Sequence, residues 1–253
     1  MTTLSNRSII ITGAGSGIGR AIAQEAAAAG AHVIVSDLNQ DTANETVELI
    51  QQASGQATAV AGDVSSQEVV DQLVAAATSA GPLLGLVNNA GVMDDFAGAA
   101  ETTDATWELC MRVNVTAPFM LTRAVLPHLL VAGKGSIVNM GSEAGLRGGA
   151  AGAAYTSSKH ALVGLTKSTA FQYARQNVRV NAIMPGGVET NIIETDYSKL
   201  NQAGLAVMGP LHQTATRMAQ PSEISALTVF LLSDAASNVS GAIIPCDAGW
   251  SAG

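Results

Sequence analysis

Short apolar runs rich in Ile and Val alternate along this chain with longer stretches in which Ala, Leu and polar residues are mixed. The run SIIIT (8–12) ends in glycines and has no polar position alternating with its apolar ones, which predicts a strand buried on both faces. GIGRAIAQEAAAAG (17–30) then has helical composition and a glycine stop. HVIVSD (32–37) predicts a second strand and 40–53 a second helix. Further strands are expected at 58–62 and 84–88, around a helix over 67–80, and a long helix over 104–131. SIVNM (136–140) predicts strand five, 153–176 a helix, and VRVNAIM (178–184) strand six. A late helix over 221–232 and a last strand, AIIPC (242–246), complete the pattern.

Strand and helix alternate throughout, which is the pattern of an α/β fold: a doubly wound parallel sheet of about seven strands with helices on both faces. No repeat or low-complexity linker divides the chain, so a single domain over 1–253 is expected. Only 189–220 lacks a clear period, and that length predicts a flap over a site.

Composition narrows the function classes. Apolar residues make up 47% of the 253 and charged ones 13%, with 26 glycines, so Ala and Gly do much of the packing. A net charge of −8 and a pI near 4.8 leave no footprint for nucleic acid or for an anionic membrane. Cys110 and Cys246 lie far apart without CxxC spacing, and the N-terminal residues have no basic-then-apolar signal pattern. A reduced, cytoplasmic chain is the expectation. No stretch reaches roughly 18 consecutive apolar residues, so no membrane span is expected. His32, His128, His160 and His212 are scattered without ligand spacing, which predicts no metal site. Neither GxSxG nor GxxxxGK[ST] occurs, which counts against a serine hydrolase and a phosphate-loop enzyme.

TGAGSGIG (12–19) falls between the first strand and the first helix, where a nucleotide loop must sit. Gly13, Gly17 and Gly19 would permit a tight turn and close approach of backbone N–H groups to a diphosphate. Ser16 and Ile18 would sit beside it at the positive end of the helix. Asp37 ends the second strand, 18 residues after Gly19, where a carboxylate can accept hydrogen bonds from an adenosine ribose. It would repel a 2′-phosphate by roughly 4 kcal/mol at ~4 Å and an effective dielectric of 20, before screening. Neither Ser16 nor Leu38 supplies an offsetting cation, so NAD is the expected cofactor rather than NADP.

From TGAGSGIG through GDV (62–64), NNAG (88–91), Asn114, Ser142, YTSSK (155–159) and PGG (185–187), the chain resembles the short-chain dehydrogenase/reductase family. The resemblance is to its compact branch of about 250 residues, and it implies a Rossmann-type sheet. It implies that Asp63 and Val64 meet the adenine, and that Asn88, Asn89, Ala90 and Gly91 stabilise the sheet and line the cofactor. Pro185, Gly186, Val188 and Thr190 would form the nicotinamide-side loop. Asn114, Ser142, Tyr155 and Lys159 would be the catalytic four, with Tyr155 and Lys159 also touching the cofactor.

Chemistry explains that set. Removing a hydride from a secondary alcohol requires that its hydroxyl proton leave too, so a base must stand beside the carbon. Bringing a phenol from about 10 to about 7 needs roughly 4 kcal/mol of extra stabilisation for its anion. A lysine ammonium ~5 Å away would supply about 3 kcal/mol at an effective dielectric of 20, and an oxidised nicotinamide the rest. The i, i+4 spacing puts Tyr155 and Lys159 on one helix face. Ser142 would polarise the substrate oxygen, and Asn114 would hold a water linking Lys159 to solvent.

The flap carries Ile192, Ile193, Leu200, Leu205, Val207, Met208 and Leu211, which suits a hydrophobic ketone or secondary alcohol. The expected activity is therefore that of an NAD-dependent alcohol dehydrogenase or carbonyl reductase. A 3-oxoacyl-carrier-protein reductase, a sugar or polyol dehydrogenase, and a dinucleotide-sensing regulatory protein are the alternatives. The resemblance also implies a homotetramer, with helices near 104–131 and 153–176 packing across a two-fold axis. Trp250 in the tail AGWSAG (248–253) would then reach a neighbouring pocket or pack locally.

Overall fold

The computed structural model describes residues 3–190, 192 and 197–253. Met1, Thr2, Asn191 and 193–196 lie outside the described residues, and with them the expected lid position Ile193. One parallel sheet organises the chain. Its strands are β1 (Ser8–Thr12), β2 (His32–Asp37), β3 (Gln56–Ala61), β4 (Leu83–Asn88), β5 (Gly135–Met140), β6 (Val178–Pro185) and β7 (Ile243–Cys246). They lie in the order β3-β2-β1-β4-β5-β6-β7. Every neighbouring pair is parallel.

The continuous apolar runs make sense in that sheet. Successive strand side chains point to opposite faces, and here both faces are covered. Ile9, Ile11, Val33, Val35, Val87 and Val138 pack with α1 (Gly17–Ala28), α2 (Gln40–Gln52) and α8 (Pro221–Leu232). Ile10, Ile34, Leu86 and Ile137 pack on the other side with α3 (Gln67–Ala80) and the long helical stretch after β4. Truncating a fully buried Ile such as Ile10 to Ala in such a core costs about 2–5 kcal/mol.

The expected long helix is continuous but not uniform. It runs as α4 (Asp104–Met111), a π turn (Arg112–Thr116) and α5 (Ala117–Ala132). Pro118 gives a reason for the break: it has no N–H to offer the carbonyl of Asn114 four residues earlier. By length and composition the whole stretch Asp104–Ala132 could cross a membrane, which corrects the expectation that no segment reaches that mark. In this fold its inward residues Ala117, Leu121, Val125 and Leu129 cover the sheet.

The remaining helices are α6 (Ala153–Tyr173) and α7 (Gln202–His212). The second was not expected, because Gly204, Gly209 and Pro210 mask its helical pattern and none of its residues is fully buried. Strand ends differ from the expected ones by one or two residues, most at β3, which begins at Gln56 rather than 58. Both cysteines are free.

Candidate active site

Most of the sequence motifs fall at the carboxyl ends of the strands. The glycine loop follows β1, Asp37 ends β2, Asp63 follows β3, Asn89–Gly91 follow β4 and Ser142 follows β5. They gather around the switch point between β1 and β4, where a ligand crevice opens in such a sheet. An open cleft of about 520 Å³ lined by Arg7, Lys134 and Arg179 lies at the opposite, amino-terminal end, away from these motifs.

The glycine loop is shaped by close packing as much as by any ligand. A Cβ on Gly13 would lie 2.9 Å from the Ala90 Cα, and one on Gly19 would collide with the Gly13 carbonyl. Gly13 and Gly17 both have positive φ, at 63° and 51°. Ser16 precedes α1 with no side-chain capping bond, and the first turn of α1 holds no acidic residue. Among the described residues its leading N–H groups, those of Gly17, Ile18 and Gly19, have no intrahelical or side-chain partner. This cradle fits a diphosphate.

Asp37 folds back onto the loop. Its Oδ2 accepts the Gly15 N–H at 2.8 Å and its Oδ1 the Asn39 N–H at 3.1 Å. Carboxylate oxygens carry further lone pairs, so a ribose hydroxyl can still be held. The nearby cation, Arg20, donates to the Gly15 carbonyl at 2.9 Å and pairs with Glu45 at 2.6 Å. Leu38 is largely exposed and Val64 buried. Asp63 pairs with Arg112 at 2.7 Å and accepts Ser65 Oγ at 2.6 Å, which holds its carboxyl below the usual range. Thr190 packs against Gly17, whose added Cβ would lie 3.1 Å from the Thr190 Cγ2. Val188 bridges to Ala219 beneath the lid, and Gly186, just after Pro185, lies against Asp247 in the tail.

After β4 the two asparagines divide their work. Asn88 Nδ2 donates to Asn139 Oδ1 on β5 at 2.8 Å, tying two strands together. Asn89 Nδ2 donates to the Thr12 and Gly13 carbonyls at 2.9 and 3.2 Å, while the Asn89 and Ala90 N–H groups both donate to Thr12 Oγ1 at 3.0 Å. The resemblance assigned this stabilising role to the segment as a whole.

The four expected catalytic residues converge. The Ser142 hydroxyl faces the Tyr155 phenol and favours its anion. Lys159 Nζ lies 5.3 Å from the Tyr155 ring centroid and donates to the Met140 carbonyl at 2.9 Å. Asn114 Oδ1 and Lys159 Nζ flank Gly91, lying 3.3 and 3.6 Å from where its Cβ would be. Asn114's amide is already engaged: Nδ2 donates to the Val92 carbonyl and Ser158 Oγ, and Oδ1 accepts the Val92 N–H. Its main-chain carbonyl lies opposite Pro118, which has no N–H to donate to it. A water held by Asn114 would thus be held by backbone rather than by side chain.

Burial acts against the expected shift of the phenol. Tyr155 is only 5% exposed, and burial pushes its phenol up to about 12, with Asp94 and Cys110 adding to the rise and Ser142 opposing it. Lys159 is 3% exposed, and burial pulls it down to about 8. The lysine is itself desolvated and spends a donor on Met140, so without the nicotinamide charge it does not offset the burial of the phenol.

Two features had no signal in the sequence, and a third settles between two expected outcomes. Asp94 is a buried carboxylate that accepts the Gly152 and Tyr155 N–H groups at the start of α6. Glu143, beside Ser142, forms a tight ion pair with Arg147, and its carboxyl is raised by burial and by Asp247. Trp250 packs within its own chain: Nε1 donates to the Leu211 carbonyl and Thr214 Oγ1 on the lid, with the Arg147 guanidinium 5.1 Å from its ring centroid. Among the described residues no group of three or more His, Cys, Asp or Glu side chains could hold a metal ion.

Comparison with known proteins agrees with this geometry. A family model described as "short chain dehydrogenase" matches residues 7–201. A short-chain dehydrogenase/reductase, cdmF, of Talaromyces verruculosus is 39% identical over 260 residues, covering 99% of each chain. The 3beta-hydroxysteroid dehydrogenase 2 of Eggerthella lenta is 38% identical over 251 residues, covering 98% of this chain and 96% of its own. A solved structure from Beutenbergia cavernae, provisionally named an NAD(P)-dependent gluconate 5-dehydrogenase and holding NADP at low occupancy, is 37% identical. It superposes with a TM-score of 0.87 over 99% of both chains.

Proposed function

The chain belongs to the short-chain dehydrogenase family, and from that premise we propose that it interconverts a hydrophobic ketone and its secondary alcohol with NAD(H). The carrying observation is the convergence of Ser142, Tyr155 and Lys159 at the ends of β5 and α6, beside the crevice of the glycine loop. Bound nicotinamide would supply the hydride acceptor or donor. The protein's own residues handle the proton. Tyr155, with its phenol protonated at neutral pH, is ready to give a proton to a carbonyl oxygen that Ser142 also holds. Lys159 can then restore that proton, drawing on a water at the Asn114 carbonyl.

The choice of NAD rests on Asp37, whose carboxylate lies in the crook of the loop, and on Arg20, whose charge is already matched by Glu45. A 2′-phosphate would face an anion with no free cation beside it among the described residues. The apolar lid and the hydroxysteroid dehydrogenase relative support a hydrophobic substrate. A polyol or sugar-acid substrate is the second reading, favoured by the gluconate dehydrogenase likeness. The aromatic residues exposed on α4–α5 and α6, Trp107, Phe119 and Phe171, support a homo-oligomer built across these helices.

The test is a steady-state screen of cyclic and aliphatic ketones, steroids and polyols, with NADH and NADPH side by side. Turnover of apolar ketones with NADH is expected, with Tyr155→Phe keeping NADH binding and losing about 10²–10⁴-fold in rate. Near-normal turnover in that variant would reassign the acid, and a preference for NADPH would remove Asp37 from the ribose site.

A further inference from the structure

Asp94 is a buried carboxylate, 7% exposed, on the segment that leads from Gly91 and Val92 toward the lid. It belongs to none of the motifs that carry the family resemblance. Its Oδ2 accepts the Tyr155 N–H at 2.9 Å, and its Oδ1 accepts the N–H groups of Gly152 and Phe96, each at 3.1 Å. Gly152 is the residue before α6 and has no side chain with which to cap that helix. The Ala153 N–H is taken by the Ala97 carbonyl at 2.9 Å. Three leading donors of the catalytic helix are thus satisfied by one short turn from 56–61 residues earlier in the chain.

The same turn seats the lid. The Asp94–Phe96 bond supports Phe96 in the left-handed region, at a φ of 66°, which a bulky residue rarely adopts. The Phe96 carbonyl lies against Gly204 of α7, where any Cβ would collide with it. Its ring meets His212 of α7 edge-on at 5.9 Å, and the Asp95 carbonyl accepts the Asn201 N–H at 2.7 Å, just ahead of α7. One carboxylate therefore holds the start of the catalytic helix and the footing of the lid in a single unit.

We propose that Asp94 is a positioning residue for the proton-transfer step: its carboxylate fixes where the Tyr155 phenol stands relative to the lid that closes over the substrate. The proposal rests on the dehydrogenase reading above. The charged and titratable groups that face the phenol are few: Lys159 on its own helix, Asp94 on this turn and Cys110 on α4, with the Ser142 hydroxyl opposite. Being anionic, Asp94 disfavours the phenolate, so removing its charge must move Tyr155 toward easier ionisation.

Two variants separate position from charge. Asp94→Asn keeps the shape and one acceptor oxygen but loses the charge. Gly152→Ala keeps the charge but pushes the clamp apart, since its Cβ would lie 2.6 Å from Asp94 Oδ2 and 2.8 Å from the Ala97 carbonyl. The pH profile of kcat/KM for alcohol oxidation is read for both, alongside a ¹³C-tyrosine NMR titration of the free protein. Tyr155 is told from Tyr173 and Tyr197 in those spectra by Tyr155→Phe.

In Asp94→Asn the plateau should fall by about ten- to a hundredfold, and the limb of the profile and the Tyr155 resonance should both move to lower pH. In Gly152→Ala the plateau should fall while the limb stays. A merely structural role would lower the melting temperature and leave plateau and limb per folded molecule unchanged, and that result overturns the proposal. If the unmodified protein turns over neither ketones nor alcohols with a nicotinamide cofactor, the dehydrogenase reading fails. The NMR titration then judges the clamp by itself, and an unmoved Tyr155 resonance in Asp94→Asn would reject it.

Discussion

A lysine pulled down to about 8 by burial makes the folded protein shed a proton before the unfolded chain does. The sign of the consequence follows. Below about pH 8 the fold must keep a charged amine in a dry site, whereas the unfolded chain, with its ordinary value near 10.4, holds the same proton at no cost. Stability should therefore rise as pH goes from 7 to 9, by about 1 kcal/mol from this group. Urea unfolding at the two pH values should detect that rise, and Lys159→Met should flatten it; an equal rise in the variant would mean that Lys159 is not the group responsible. Tyr155 and Cys110, both raised, act in the opposite sense: Cys110 begins to offset the rise near pH 9, and Tyr155 acts only above that. The identities of Tyr155, Lys159, Ser142 and Asn114 were legible because their spacing repeats a known pattern. Their proton affinities were not, because burial is a property of the assembled fold, and its cost to both groups leaves no mark on spacing. Asp94 was illegible for a related reason: its partners lie 58 and 61 residues away and are backbone groups, which leave no mark on composition.

At the scale of elements, the periods of apolar residues located every strand to within one or two positions and missed one helix. α7 has Gly204 and Gly209 on its path and Pro210 near its end, so its helical propensity is poor and its place is set by contacts with Phe96 and Trp250. The π turn at Arg112–Thr116 was equally hidden, since a helix-period pattern does not distinguish four-residue from five-residue closure. Pro118 was the available signal. Pro118→Ala restores an N–H opposite the Asn114 carbonyl and should let the turn relax toward a regular α-helix, taking that acceptor away from any relay water. The expected outcome is a fall in turnover of roughly tenfold or more, with a melting temperature within a few degrees of the unmodified protein. Full activity in Pro118→Ala would show that side-chain packing, not the missing donor, holds the π turn.

Across the whole molecule the two faces of the sheet are covered unequally well. The α1–α8 side closes over Ile22, Ile224 and Leu231, all fully buried. The other side is layered by α4–α5 and α6, which still expose Trp107 at 43%, Phe119 at 46% and Phe171 at 88%. A chain of net charge −8 that leaves three large aromatics uncovered on neighbouring helices has a reason to bury them against a second copy, because each buried ring contributes about 1.5–3 kcal/mol. These same helices carry Asn114, Tyr155 and Lys159 on their inner sides, so an interface here would brace the catalytic face of α6 from behind. Phe119→Lys combined with Phe171→Lys places two cations where an apolar contact would form, while leaving the buried residues of α5 and α6 untouched. Sedimentation velocity should find the unmodified protein as a dimer or tetramer and the double variant as smaller species, with lower activity at low protein concentration. If the double variant keeps the mass of the unmodified protein, the assembly must use a different face, and the exposed aromatics would then need another partner.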